Sequence, residues 1–187
     1  KVVHNNLLTT NTDPDGAAFN DDYSYYNGSN GVEVLNNVFQ NEGGGYAVKV
    51  DHSNTTTSFN YNNLYTTGSK LARWSTTDAA DLADWQSVSS QAANSVSADA
   101  QFLNDTNLHV NASILNKAAT PLAYVSDDID GESRDASTPD IGADEFEPLG
   151  DDAGLLAIQG PQIPFEPGNQ NVYVELLNNG ADTLTAV

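Results

Sequence analysis

The chain has no cysteine and no methionine, and its six Lys and Arg residues stand against 26 Asp and Glu, a formal charge of −20. Without cysteine, disulfides and thiolate metal sites are excluded. Neutralising a phosphate backbone takes clustered bases, but Lys1, Lys49, Lys70, Arg73, Lys117 and Arg134 are scattered along the sequence. Nucleic acid is therefore not an expected partner, and an anionic membrane surface is disfavoured for the same reason. No run approaches the roughly 18 consecutive apolar residues of a spanning helix, so membrane insertion is not expected. The opening "KVVHNNLL" reads as part of a repeat with no signal peptide before it. The expectation is an internal portion of a longer protein with adjoining domains, in which case targeting signals lie elsewhere.

The residues that are present favour strands and turns. Apolar residues make up 39% of the chain, and Asn, Thr, Ser, Gly and Asp, which suit turns and strand edges better than helix interiors, dominate the rest. "NNLL" at 5–8, "NNVF" at 36–39 and "NNLY" at 62–65 recur at intervals of 31 and 26 residues. Periods of about 20–50 residues mark stacked architectures. Around them lie short alternating segments: "GVEVLNNVF" (31–39), "GYAVKVDH" (45–52) and "TSFNYNNLY" (57–65). Alternation places Val32 with Val34, and Tyr46 with Val48 and Val50, on inward faces. The turns between them are "DPDG" (13–16), "NGSNG" (27–31) and "NEGGG" (41–45).

A strand that returns after so long an interval is no hairpin partner, but it can be the equivalent strand of the next coil, about 4.8 Å away. Stacking then piles like on like, with Asn corners forming a hydrogen-bonded ladder and the apolar residues after them re-entering the wall. Residues 11–30 read as a loop inserted at a corner.

"TTDAADLADWQSVSSQAANS" (76–95) carries the one helix signal, two to three turns started by Thr77 or Asp78. It lies on the solenoid and buries Trp85, with Trp74 nearby. "EPLGDD" (147–152) reads as a linker, 148–152 being its core. From 153 a new β pattern begins, with Val172, Val174 and Leu176 alternating and a turn at Asn178-Asn179-Gly180. Residues 153–187 are too few for the roughly seven strands of a complete sandwich.

"NNVFQNEGGGYAVKV", "FNYNNLYTTGSKLARW", "TNLHVNASILNKA" and above all "DIDGESRDASTPDIGADEF" (128–146) resemble the C-terminal part of a right-handed parallel β-helix. Domains of this kind occur in very large secreted bacterial surface proteins, including substrates of the type IX secretion route. In that family a run similar to 128–146 closes the helix. The tail resembles the start of an Ig-like, CARDB-type module. The resemblance implies an all-β fold: coils and closing segment over 1–147, a linker at 148–152, and the first strands of an Ig-like sandwich over 153–187. It also implies a secreted or cell-surface location and a non-catalytic role as a stalk or adhesive, self-assembling module, with glycans or further copies as partners. The sequence departs from the family's pattern at Asp99-Ala100 and around Ser113-Ile114 and Lys117-Ala118. "DTL" (182–184) matches the Asp-Thr/Ser-aliphatic pattern of O-glycosylation in such bacteria and nominates Thr183.

The alternative is a carbohydrate-active β-helix, a polysaccharide lyase or glycoside hydrolase, whose site lies largely outside this segment. Glycoside hydrolysis needs paired carboxylates at a set separation. Asp13 and Asp21 fall in one expected loop, and the Arg-x-Lys element of pectin-cleaving hydrolases is missing. Lys49 is the basic residue of a clear wall strand and is expected to pair with Glu33 or Asp51. His4, His52 and His109 lack metal-ligand spacing, and no nucleophile elbow occurs; no catalytic residue is nominated. The cation candidate is "SDDIDGESRD" (126–135), with Asp127, Asp128, Asp130 and Glu132 as oxygen ligands for calcium. Against it stands a turn in which Asp side chains bind their own backbone while Arg134 pairs with a carboxylate.

Overall fold

The computed structural model describes residues 1–21, 31–51, 56–148, 153–160, 168 and 171–178. His52, Thr183, most of the "NGSNG" turn and the turn at Asn179-Gly180 lie outside them. Among the described residues the protein is mostly β, with one short helix. Each of three successive coils contributes three short strands. The first coil holds β1 (Val2–Val3), β2 (Asn6–Thr9) and β3 (Ala17–Asp21), and the second β4 (Val32–Leu35), β5 (Val38–Asn41) and β6 (Tyr46–Val50). The third holds β7 (Thr56–Asn60), β8 (Asn63–Thr66) and β9 (Ala72–Trp74). Equivalent strands pair in parallel, giving sheets β1-β4-β7, β2-β5-β8 and β3-β6-β9. Residues 11–30, expected as one loop, thus contain the wall strand β3.

The Asn pairs do stack, with a slip. Asn5 donates its backbone and side-chain N–H to Asn37 Oδ1 at 3.0 and 2.9 Å, and Asn37 does the same to Asn62 Oδ1 at 2.9 Å. The rungs are 32 and 25 residues apart, so the second Asn of the middle motif aligns with the first of the other two. The residue before each rung makes the corner and lies in the left-handed region: His4 (φ 51°), Asn36 (φ 61°) and Tyr61 (φ 54°). Asn tolerates that conformation best, which is why the middle motif begins one residue earlier. The ladder stops where Asn62 N–H meets Ser95 Oγ at 3.0 Å.

Inside the coils Leu7, Phe39 and Leu64 are stacked neighbours, as are Val34 with Phe59 and Phe19 with Val48. An aromatic column runs through them: Phe19 to Phe39 at 5.0 Å between centroids, Phe39 to Phe59 at 6.2 Å, and Phe59 to Trp85 at 5.4 Å. Edge-to-face contact with Trp74 at 5.4 Å completes it, within the range where aromatic pairs add to burial. At the glycine corner, a Cβ on Gly43 would fall 1.8 Å from the Asn11 carbonyl oxygen, so only glycine lets the two coils approach there.

Thr77 and Asp78 do not start the helix. They sit in β10 (Thr77–Ala79), antiparallel to β9, where Asp78 binds Lys70 at 2.7 Å and the Tyr46 hydroxyl at 3.0 Å. The helix α1 (Leu82–Ser89) is capped instead by Asp81, whose side chain accepts the Asp84 N–H. It places Trp85, fully buried, over the third coil.

Residues 97–146 contain little regular structure beyond a 3-10 turn at Ser113–Leu115, yet they build a second core. Ala100, Val110, Ala112, Leu115, Ala119 and Ile141 pack with Val38. All four residues of β5 are consequently buried, and the outward face of that strand is not a solvated wall. The compact unit so formed spans Lys1–Phe146, and a second unit spans Glu147–Val187. The second unit contains a small antiparallel sheet of β11 (Ala153–Ile158) and β12 (Val174–Asn178) with a bulge between Leu155 and Ala157.

Candidate functional site in the closing segment

The run 128–146 is organised around Arg134, whose side chain is 4% exposed. Its Nη2 donates to the carbonyls of Gly142 and Ala143 at 3.1 and 2.7 Å, and its Nη1 to Glu145 Oε2 at 3.2 Å. Glu145 accepts the N–H groups of Asp135 and Asp140 at 2.9 and 3.1 Å. Asp140 in turn accepts those of Lys117 and Phe146 at 2.6 and 2.7 Å. Asp135 takes Ser137 and Thr138, and these bonds hold its carboxyl below the ordinary range. The acidic residues thus substitute for the ladder that a sheet would provide to these N–H groups.

The run is fastened to the corner column. Gly142 (φ +115°) donates its N–H to the Asn36 carbonyl at 2.9 Å and accepts His4 Nδ1–H at 3.0 Å. A Cβ there would lie 2.4 Å from Asn6 Oδ1, the atom that accepts the Ala143 N–H. Asn36 donates to His4 Nε2 at 2.8 Å and to the Thr120 carbonyl at 2.7 Å. His4 is therefore neutral, a donor at Nδ1 and an acceptor at Nε2. Burial, and then the Arg134 charge, push its pKa from 6.5 down to about 4, against the Gly142 carbonyl.

This predicts a pH dependence. A depressed base stabilises the fold fully above its unfolded pKa of 6.5, and that stability is lost as pH falls toward 4. The full shift is worth on the order of 3 kcal/mol. Denaturant unfolding at pH 7 and pH 5.5 should differ by about 1 kcal/mol, and His4→Gln should flatten this window, which lies above most carboxylate titration.

The four nominated calcium ligands divide. Asp128 spends both oxygens on backbone N–H groups, Asp130 and Glu132 at 2.9 and 2.8 Å and Glu145 at 3.0 Å. Despite the cost of burial, these bonds and Arg134 leave its carboxyl below the ordinary range. Asp127 accepts the Ser126 hydroxyl at 3.2 Å, and Glu132 presents its backbone to Asp128. Asp130 turns to His109, with Nε2 to Oδ2 at 2.6 Å. Among the described residues, the one group of three with ligand atoms within 4.8 Å of one another is His109, Asp130 and Asp144. His109 Nδ1 contacts Asn107 Oδ1. Asp130 is the main cause of the raised His109 pKa, and burial is the main cause of the raised Asp144 pKa. Sequence spacing offers no sign of this group, because its members come from three separate turns.

The wall of β3-β6-β9 also departs from expectation. Asp51 pairs with Arg73 at 2.8 Å and Glu33 with Lys1 at 2.7 Å, whereas Lys49 reaches the Asp15 carbonyl at 3.3 Å. Tyr46 does not join Val48 and Val50 in the core cluster. Lys49, Lys70 and Arg73 lie 5.9, 5.8 and 5.7 Å from its ring centroid, a gathering of half the bases of an acidic chain. Asp13 folds its own turn by accepting the Asp15 N–H, and Asp21 ends β3 opposite Val50. Comparison with known proteins finds no matching family model, curated protein or solved structure.

Proposed function

We propose that this chain is a non-catalytic segment of a secreted bacterial surface protein, in which right-handed coils form a rigid stalk or adhesive spacer leading into an Ig-like module. The observation that carries the reading is the Asn5–Asn37–Asn62 ladder in register with three parallel sheets. Such bonds run along the stacking axis, so bending or stretching must break backbone and side-chain bonds together. Ion pairs between coils, Lys1–Glu33 and Asp51–Arg73, brace the outer wall. Among the described residues no group donates to Asn5 Oδ1, while Ser95 terminates the other side. A further coil, or another copy, suits the open side, where Val2, Leu7 and Phe19 border a cavity of about 830 Å³.

Force spectroscopy on the full chain held between handles tests this. The expected trace is a stiff segment that yields in a few large, coil-sized steps; gradual extension at low force would refute the stalk.

The cationic gathering around Tyr46 favours a second reading, recognition of an acidic glycan on the β3-β6-β9 wall. Saturable binding or turnover of a polyuronate, lost on Lys49→Gln with Arg73→Gln, would decide for it. Absence of both at millimolar sugar decides against it.

A further inference from the structure

We propose that His109, Asp130 and Asp144 form a binding site for a divalent first-row cation of the zinc class, with His109 Nε2 and one oxygen from each carboxylate as protein ligands. Their ligand atoms already lie within 4.8 Å of one another. Each comes from a turn fixed elsewhere: His109 precedes the core residue Val110, Asp130 follows the Asp128 turn, and Asp144 sits between Ala143 and Glu145 of the Arg134 network.

Two features beyond proximity point to a cation. The first is the orientation of the imidazole. Asn107 Oδ1 lies against Nδ1, an oxygen that accepts the N–H there and leaves Nε2 as the nitrogen turned to Asp130. Metal-bound histidines are held in this manner, with the distal N–H on an oxygen acceptor. The second is Asp144, only 6% exposed. No side chain among the described residues donates a hydrogen bond to it, and the backbone N–H of Val110 is the donor that faces it. Burial and the nearby anions Asp128 and Asp130 work against the charge of this carboxylate, and the His109 imidazole and one backbone dipole work for it; a cation bound between His109 and the carboxylates would add to that support.

The donor set selects the ion. Calcium wants six to eight oxygens, whereas one imidazole and two carboxylates suit zinc or its neighbours in the first row. Ligand bonds of about 2.0–2.2 Å put tetrahedral donors about 3.4 Å apart. The 2.6 Å between His109 Nε2 and Asp130 Oδ2 is a hydrogen-bond length. The arriving cation therefore takes the place of the shared proton, which leaves to water, and the pair opens by less than about 1 Å. Asp130, with a side chain 54% exposed, is free to make that move. His109, Asn107, Ile129 and Ala143 also border the 830 Å³ cavity, so the fourth position faces that space. Bound there, the ion staples three irregular turns of the closing segment.

The test is calorimetric titration of the EDTA-treated, desalted full chain with zinc chloride, with calcium and magnesium chloride as parallel arms. The expected result is one saturable zinc equivalent at micromolar concentration or tighter. His109→Gln and Asp144→Asn should each weaken it at least tenfold, and Asp127→Asn should leave it unchanged. Should a variant fail to fold, ¹⁵N spectra of the wild-type imidazoles decide: zinc must shift His109 Nε2. The proposal is overturned by no saturable zinc uptake, by affinity unchanged in both variants, by a response at His4 or His52 in place of His109, or by calcium binding with zinc inert.

Discussion

Asn37→Ala should lower the free energy of unfolding by about 4 kcal/mol, since each buried polar group left without a partner costs about 1–3 kcal/mol. Asn37 is fully buried. Its carboxamide donates to the carbonyls of Val2 and Leu35 at 2.9 Å and accepts the Asn5 N–H at 3.0 Å. Alanine leaves the Asn5 N–H without its acceptor and takes a donor from the carbonyls of Val2 and Leu35, the latter keeping the His4 N–H at 3.2 Å. Chemical denaturation of the full chain, compared at constant slope, measures the loss. Asn5→Ala serves as the internal comparison. Asn5 stands at the open side of the ladder, where it is only part-buried, and should cost about 1 kcal/mol. Equal effects at the two positions, or a loss below about 1 kcal/mol at Asn37, would show that the ladder does not couple the coils.

Arg134→Met is expected to cost about 3–5 kcal/mol, the range seen when one partner of a buried ion pair is removed. Methionine keeps most of the volume but abandons Glu145 and the carbonyls of Gly142 and Ala143. Lysine is no substitute, because one ammonium cannot serve three acceptors in a fork. Pairing the change with Glu145→Gln should restore part of the loss, because the double variant no longer buries an unpaired charge. The effect should also be local: proteolysis should cut within 97–146 before the coils. Full additivity of the two substitutions would mean that Arg134 and Glu145 act separately, and the network would then not be the clasp of the closing segment.

These expectations share a cause. Neither the corners nor the closing segment are held by regular backbone pairing alone. Buried Asn, Asp and Arg side chains satisfy the groups that the turns leave open, and in a low-dielectric interior such networks are strong when complete and costly when broken. The chain is rich in Asn and Asp for this reason, and its acidity is partly structural: Asp128, Asp135, Asp140 and Glu145 all accept backbone N–H bonds.

The sequence by itself determined the stacked β architecture. Recurring Asn pairs with alternating apolar residues suit parallel coils, and burial of Trp85 followed from the short helix that carries it. Local patterns report which face a residue wants, so these features could be read without coordinates. The tertiary structure decided what depends on winding. It set the one-residue slip that aligns Asn37 with Asn5 and Asn62 and moved the helix cap from Asp78 to Asp81. It buried the outer face of β5 beneath residues 97–146, and it redirected Asp51 to Arg73. It also brought His109, Asp130 and Asp144 together from three turns. Each of these rests on the path the chain takes between distant segments, and a local pattern holds no record of that path.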